Sequence, residues 1–356
     1  MCGSVHEGGI MVTCAIIGAG VAGLAAARIV RQRMPEVVLT VYEKSRGLGG
    51  RVATRRRNGC VFDHGAQVIK APDERTRQVL HHELADAALV EITAPVWTFD
   101  AAGRLSVGDP ALAERQWAYR DGLSRLGKRL AGDTAVVREV RIAALMRQGT
   151  RWALHDDAGT LVGEADAVLL TPPAPQTSAI LAQSQLDPVL RERLITALAP
   201  AQYRRCISVA LGYARRFDPP WYAAVNADRQ HPIVWLGLEH RKDPTRAPAD
   251  QSLLVAQLAP AASLAWWDMP LAELVAQLGP LVTALLADDP GAPLWADRQG
   301  WRYALPDGAA DAATLASARD HGLWFAGDFL TGVGRIHRAI ASGEATGAAL
   351  VAALGG

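Results

Sequence analysis

The chain has 356 residues, 50 % of them hydrophobic and 21 % charged, and a formal net charge of +1. That length suits about two domains of a globular protein. The balanced charge excludes nucleic acid or an anionic membrane as the organising partner, and no apolar run approaches the roughly 20 residues of a membrane span.

Residues 1–10 lack the basic start and apolar core of a signal peptide, so they are expected to be a disordered extension. An apolar run, Met11–Ile17, then leads into Gly18-Ala19-Gly20-Val21-Ala22-Gly23. Its length and Ile/Val content predict a short buried strand. A helix should begin among the glycines, with Val21, Leu24, Ala25 and Ile29 on the face covering the sheet. Gly18 permits a tight turn, Gly20 lets the backbone approach a pyrophosphate, and Gly23 lets helix and strand pack closely. The free N–H groups and positive dipole end of the helix suit phosphates. A second apolar run, Val37–Tyr42, ends at Glu43, twenty residues past Gly23. A carboxylate there would accept hydrogen bonds from an adenosine ribose and repel a 2′-phosphate. Strand, turn, helix, strand and acid at these spacings predict dinucleotide binding. Lys44, Gly50 and Arg51 lie in a second glycine-rich loop that must return toward the phosphates. That arrangement suits an extended FAD more than NAD.

Further along, the sequence predicts a helix over Asp73–Val90, a strand over Glu91–Phe99 and a short helix over Gly122–Leu130. Three strands follow, Ala135–Leu145, Arg151–His155 and Thr160–Val162, then a short apolar strand, Ala167–Leu170, stopped by Thr171-Pro172-Pro173. From about Ala174 to Asp320 tryptophan and proline become frequent and the glycine motifs stop. Helices are predicted at Leu186–Leu198 and Leu271–Ala287, with strands at Tyr203–Tyr213, Pro232–Glu239 and Ser252–Leu258. Leu323–Ala326 is a last buried strand and Ala339–Leu354 a small-residue helix. Cys2, Cys14, Cys60 and Cys206 show no paired spacing, so a reducing cytoplasm fits, without disulfides or zinc. The pairs and singles His81-His82, His155 and His321 show no ligand spacing either, and no metal is expected. No Gly-x-Ser-x-Gly elbow or Cys–His pairing suggests hydrolysis.

The loop Lys44-Ser45-Arg46-Gly47-Leu48-Gly49-Gly50-Arg51, followed by Phe62-Asp63-His64-Gly65-Ala66-Gln67, resembles the renalase family, a branch of the amine-oxidase-like flavoproteins. Gly327-Asp328 with Gly334-Arg335 is similar to that family's closing flavin motif, and Gly300-Trp301-Arg302-Tyr303-Ala304 to another family segment. The specific matches cover roughly the first and last sixty residues of the core. The resemblance implies an α/β fold. A Rossmann-like FAD-binding domain with a three-stranded meander crossover would comprise 11–75, 122–175 and 318–356. An α+β substrate domain with an antiparallel sheet would comprise 76–121 and 176–317.

It also implies that Gly65, Ala66 and Gln67 lie beside the flavin ring and that a strand near Val140 lies against the adenine. Asp328 would hold the ribityl chain or a phosphate-proximal hydroxyl. The amides opening the last helix, around Gly334, Arg335 and Ile336, would face the flavin N1–C2 edge. By order along the chain, Trp235, His240, Gln257 and Trp301 fall near positions lining the flavin face. The family often has His at the place of Gln257 and Asn at that of His240.

The implied activity is hydride transfer from a dihydropyridine, an isomer of NAD(P)H, to flavin N5, with O2 reoxidising the flavin to give H2O2. The partners would be a small-molecule substrate and O2, with no nucleic acid, for a monomer or homodimer. Three rivals stay open: an amine oxidase or desaturase-like flavoenzyme, a flavin-binding protein without turnover, and an NAD-only dehydrogenase.

Overall fold

The computed structural model describes residues 12–108 and 114–355; the expectation for residues 1–10 lies outside them. Five strands form a parallel sheet in the order 135–138, 38–43, 13–17, 167–170, 323–325. The central strand Thr13–Ile17 is almost wholly buried. It lies between helices on one side and a three-stranded antiparallel meander, 142–148, 151–156 and 161–165, on the other. Buried on both faces, such a strand reads as an unbroken apolar run.

The first helix, Val21–Arg33, packs on the last, Ile336–Leu354. Added side chains at Gly343 and Gly347 would sit 2.2 Å from Ala22 O and 2.8 Å from Ala26 O. The small residues of the last helix are therefore what allow the two backbones to meet.

A second, seven-stranded sheet runs in the order 295–307, 202–213, 252–258, 233–238, 223–226, 96–99, 105–107. Its pairs are antiparallel except 223–226 with 96–99. Alternation divides its strands. Ile207, Val209, Leu211, Leu236, Leu254 and Ala256 pack on one face against helix Leu271–Leu286. The intervening residues face the hairpin 54–57/60–63, where Phe62 meets Ala210, Val255 and Trp295. The α/β class with a mixed, mainly antiparallel second sheet is as expected. Among the described residues no helix is long and apolar enough to cross a membrane.

Several elements differ from expectation. The strand expected over Ala135–Leu145 is two: Ala135–Arg138 joins the parallel sheet, and Ile142–Gln148 opens the meander. Glu139 takes a left-handed φ of 62° between them, so Val140 lies on the link. The helix expected over Asp73–Val90 ends at Glu83 through a wide final turn, and Leu89–Glu91 is a strand. Pro95 separates that strand from Val96–Phe99. Segment 76–121, expected in the substrate domain, divides. Val79, Leu80, Trp117 and Tyr119 join the core under the first helix, while 96–99 and 105–107 join the second sheet. A helix at Ala174–Gln183 and a thirteen-residue strand, Trp295–Asp307, were not expected.

Candidate functional site

Three glycines after the first strand do three separable jobs. Gly18 has φ +101°, and a side chain on it would lie 2.6 Å from the Thr171 hydroxyl. That hydroxyl donates to the carbonyls of Ile17 and Gly18 at 2.8 and 3.1 Å, pinning the turn to the neighbouring strand. A side chain on Gly23 would lie 2.1 Å from Gly18 O. Gly20 differs from both: a Cβ there would meet no protein atom within 4 Å. Its smallness answers to no protein neighbour and leaves open space directly before a helix that no side chain caps. Val21 and Ala22 start that helix, so their N–H groups belong to the unsatisfied first turn.

The second glycine loop closes over the first. Gly49 N donates to Ala19 O at 2.8 Å, Gly20 and Gly49 form an isolated bridge, and Gly50 lies against Gly20. Glu43 is buried beneath them and takes one amide on each oxygen, Ala19 N at 2.8 Å and Ser45 N at 2.7 Å. Each oxygen keeps a lone pair for a hydroxyl. Val140 N donates to Glu43 O, which sets Val140 beside this acid, and Lys44 is exposed next to it. A polar molecule with phosphates and a sugar diol fits these groups.

Arg51 leaves the second loop and reaches the far end of the chain. Its Nη1 donates to Asp328 Oδ2 at 2.5 Å and Ala304 O at 3.1 Å. Tyr203 OH donates to the other Asp328 oxygen at 2.8 Å. The Tyr203 hydroxyl is raised by burial first and then by the Asp328 charge, so it stays a donor. Gly327 precedes Asp328 at φ 147°. Gly334 packs under Leu305, Arg335 is exposed, and Ile336 opens the last helix without a side-chain cap.

The segment after strand Cys60–Asp63 is held by side chains. His64 O accepts from Trp301 Nε1 at 2.7 Å, and the Trp301 ring stacks on the His64 imidazole, centroids 5.4 Å apart and planes 16° from parallel. Gly65 O accepts from Gln257 Nε2 at 2.6 Å and from Gln67 Nε2 at 3.2 Å. Ala66 N donates to Arg51 O at 2.8 Å. Burial, and then Arg55, push the His64 imidazole down to about 4, so it is neutral near pH 7. The sheet opposite presents a cross-strand row, Trp235, Gln257, Ser208 and Gln299, fixed by register.

His240 does not join them. It is buried, with Nε2 on Phe217 O at 3.0 Å and Nδ1 accepting from Leu253 N. It braces a loop, and the expectation that it faces the site is corrected.

Below the segment lies a cluster that the sequence did not suggest as a unit: Asp63, Glu239, Lys242 and Arg246, with side chains at 0 % exposure. Arg246 bridges Asp63 at 2.8 Å and also Glu239, and Lys242 contacts Glu239 at 2.5 Å and Gln67 Oε1 at 3.1 Å. Burial opposes ionisation of Asp63, but Arg246 and Lys242 outweigh it and hold the carboxyl below its usual range. Glu239 and Lys242 are spaced i, i+3 on the short helix Glu239–Lys242, the one sequence signal of a shared face, and Arg246 comes from the 3-10 turn that follows it. Tyr203, His64, Ser208 and Gln299 carried no such signal.

Residues 88–351 match the family model for flavin containing amine oxidoreductase, and residues 16–82 that for an NAD(P)-binding Rossmann-like domain. Among solved structures, cyclohexylamine oxidase from Brevibacterium oxydans aligns at TM-score 0.74 and 14 % identity, over 97 % of this chain and all of that one. Putrescine oxidase bound to putrescine aligns at 0.72 and 16 %, over 96 % and 99 %. Reduced UDP-galactopyranose mutase aligns at 0.75 and 11 %, over 97 % and 94 %. At such identities these likenesses speak for the fold. A 4,4′-diapophytoene desaturase of Staphylococcus aureus is 42 % identical over 59 residues, 17 % of this chain. The chain spans only 11 % of the length of that relative.

Proposed function

We propose that this chain, which belongs to the flavin-containing amine oxidoreductase family, binds FAD and oxidises a small-molecule donor whose reacting group is uncharged. It is an enzyme of that flavin-dependent class. The observation that supports the cofactor reading is Gly20, where a Cβ would meet no protein atom, at the start of an uncapped helix beside the buried Glu43. Gly18, Gly20, Gly23 and the amides of Val21 and Ala22 would receive the diphosphate, with Gly50 and Arg51 closing over it. Glu43 would hold the adenosine ribose, and Val140, beside it, the adenine. Asp328 would hold the ribityl chain. The opening of the last helix at Gly334, Arg335 and Ile336, which no side chain caps, would border the ring with Gly65, Ala66 and Gln67.

FAD, when bound, supplies a two-electron acceptor that takes a hydride equivalent from the donor and, in this reading, passes the electrons to O2 to give H2O2. The residues facing it favour a donor whose reacting group is uncharged. Trp235, Ser208, Gln257, Gln299 and Trp301 are neutral. The acids packed around them are compensated: Asp63 and Glu239 by Arg246 and Lys242, and Asp297 by Arg55 and Arg57. An ammonium group would find no free carboxylate among the described residues there. A dihydropyridine, which becomes aromatic on losing hydride, needs no base, and His64 is held neutral.

The family membership favours a second reading, in which the donor is an amine bound as its free base or an apolar chain undergoing desaturation. The test is anaerobic stopped-flow reduction of the purified yellow protein. Rapid bleaching by dihydronicotinamide isomers supports the first reading. Bleaching only by primary amines or polyenes supports the second. A colourless protein that takes up no FAD ends both.

A further inference from the structure

We infer that Gln257 is a positioning residue for the flavin ring: with Gln67 it clamps the Gly65 carbonyl, and it does not bind substrate. This rests on the reading that residues 65–66 border the ring. Sequence order alone placed Gln257 among substrate contacts. The geometry spends its amide differently, on a backbone oxygen 192 residues away at 2.6 Å.

The clamp has two arms. Gln67 Nε2 donates to Asp63 O at 2.6 Å and to Gly65 O at 3.2 Å, while its oxygen takes Lys242 Nζ at 3.1 Å. The lysine, buried at 0 % exposure, fixes which way that amide points. Gln257 grips the same carbonyl from the opposite sheet. Gly65 O then has both lone pairs engaged, and its peptide plane cannot rotate. A side chain is also barred at the glycine, where a Cβ would sit 2.0 Å from Arg51 O and 3.3 Å from Trp301 Cζ2. Trp301 pins the preceding carbonyl. Two consecutive carbonyls outside regular structure, those of His64 and Gly65, are thus held by Trp301 and Gln257 from the second sheet and by Gln67 from the loop itself.

The second sheet does not need this bond to fold. Its own core lies on the other face, among Val209, Leu236, Leu254 and Ala256 against helix Leu271–Leu286. Losing the Gln257 arm should therefore register at the cofactor and leave global stability nearly unchanged.

The experiment compares Gln257→Leu, Gln257→Glu and Gln257→His holoenzymes with the wild type. It measures FAD Kd by flavin fluorescence, visible circular dichroism of bound flavin, donor KM and apoprotein Tm. The Leu and Glu variants should bind FAD roughly tenfold more weakly, the scale of one lost buried hydrogen bond, with an altered visible dichroism. The His variant keeps an N–H donor and should recover most of both signals. Tm should stay close to wild type. Unchanged Kd and dichroism with a raised donor KM would make Gln257 a substrate contact and overturn the inference. So would a Tm loss that accounts for the weakened FAD binding. A wild type that takes up no FAD is a different result, which removes the cofactor reading beneath it.

Discussion

Arg51 and Asp328 stand 277 residues apart in the chain and 2.5 Å apart in space. Tyr203, from the second sheet, donates to the other oxygen of the same carboxylate, so three separate parts of the chain meet at one acid. Burial works against the Arg51 charge, and Asp328 more than restores it, so the guanidinium stays ionised. Its planar fork is the geometry that grips phosphate in two places. Arg51→Met should weaken FAD binding by roughly 10- to 100-fold, the range of a charge-assisted hydrogen bond. Arg51→Lys should recover only part of that, because a point charge cannot replace the fork. Equilibrium flavin titration decides it, and a Met variant that binds FAD as tightly as wild type would remove Arg51 from the phosphate site.

Gly20 and Gly23 should fail in opposite ways when changed to alanine. Gly20 has φ −76°, which any residue adopts, and its Cβ would touch nothing in the protein. Gly20→Ala should therefore fold with an apoprotein stability within about 0.5 kcal/mol of wild type and lose FAD. Gly23→Ala drives a methyl group to 2.1 Å from Gly18 O, a backbone atom. That strain should cost about 2 kcal/mol or more in denaturant unfolding. If both variants lost stability equally, Gly20 would be structural and the open space beside it would need another explanation.

The buried quartet should behave as a unit. Arg246→Met leaves Asp63 and Glu239, at 0 % exposure, with only Lys242 to balance them, and should cost about 3–5 kcal/mol. Thr54 and the Leu123 amide also hold Asp63, at 2.6 and 2.8 Å, so its geometry partly survives. The paired change Asp63→Asn with Arg246→Met should cost less than the sum of the singles, since the bridged charge goes with its partner. Additive losses in urea unfolding would show that the bridge does not couple Asp63 to Arg246.

The glycine turn and the buried strands were legible because their physics is local. Three glycines, two apolar runs and Glu43 lie within one short segment, and Ala167–Leu170 and Ser252–Leu258 appear with the expected ends. Trp295–Asp307 was hidden because its alternation is masked. One face carries Asp297, Gln299 and Trp301, which meet Arg55, Arg57 and His64, and Pro306 sits where only an edge strand tolerates it. Helix Ala174–Gln183 was hidden by Pro172-Pro173, which stop one element and start the next. The quartet looked like solvated surface because charged residues usually are. Only the fold reveals that Asp63 waits for Arg246. His240 and Gln257 could not be told apart by order, since strand register decides which side chain meets residue 65.

Stability should fall through mildly acidic pH because of two imidazoles. Burial, with Arg55 adding to it at His64, brings both His64 and His240 down to about 4 in the folded chain. Unfolded histidine titrates near 6.5. Between those values the unfolded chain binds more protons than the folded one, so unfolding free energy rises with pH. The contribution is complete above about pH 6.5 and is lost as pH falls toward 4. Each imidazole should account for on the order of 3 kcal/mol across that window. The lowered carboxyls, Asp63 among them, act below it. His240→Gln keeps a polar side chain among the Phe217 and Leu253 backbone groups but cannot titrate. Unfolding measured at a series of pH values should show it with a clearly shallower slope than the wild type between pH 4 and 6.5, the remainder coming from His64 and from His81, His231 and His337, which burial also lowers. A variant with the wild-type slope would mean that His240 is protonated in the folded chain, and that its contact with Phe217 O is made by an imidazolium.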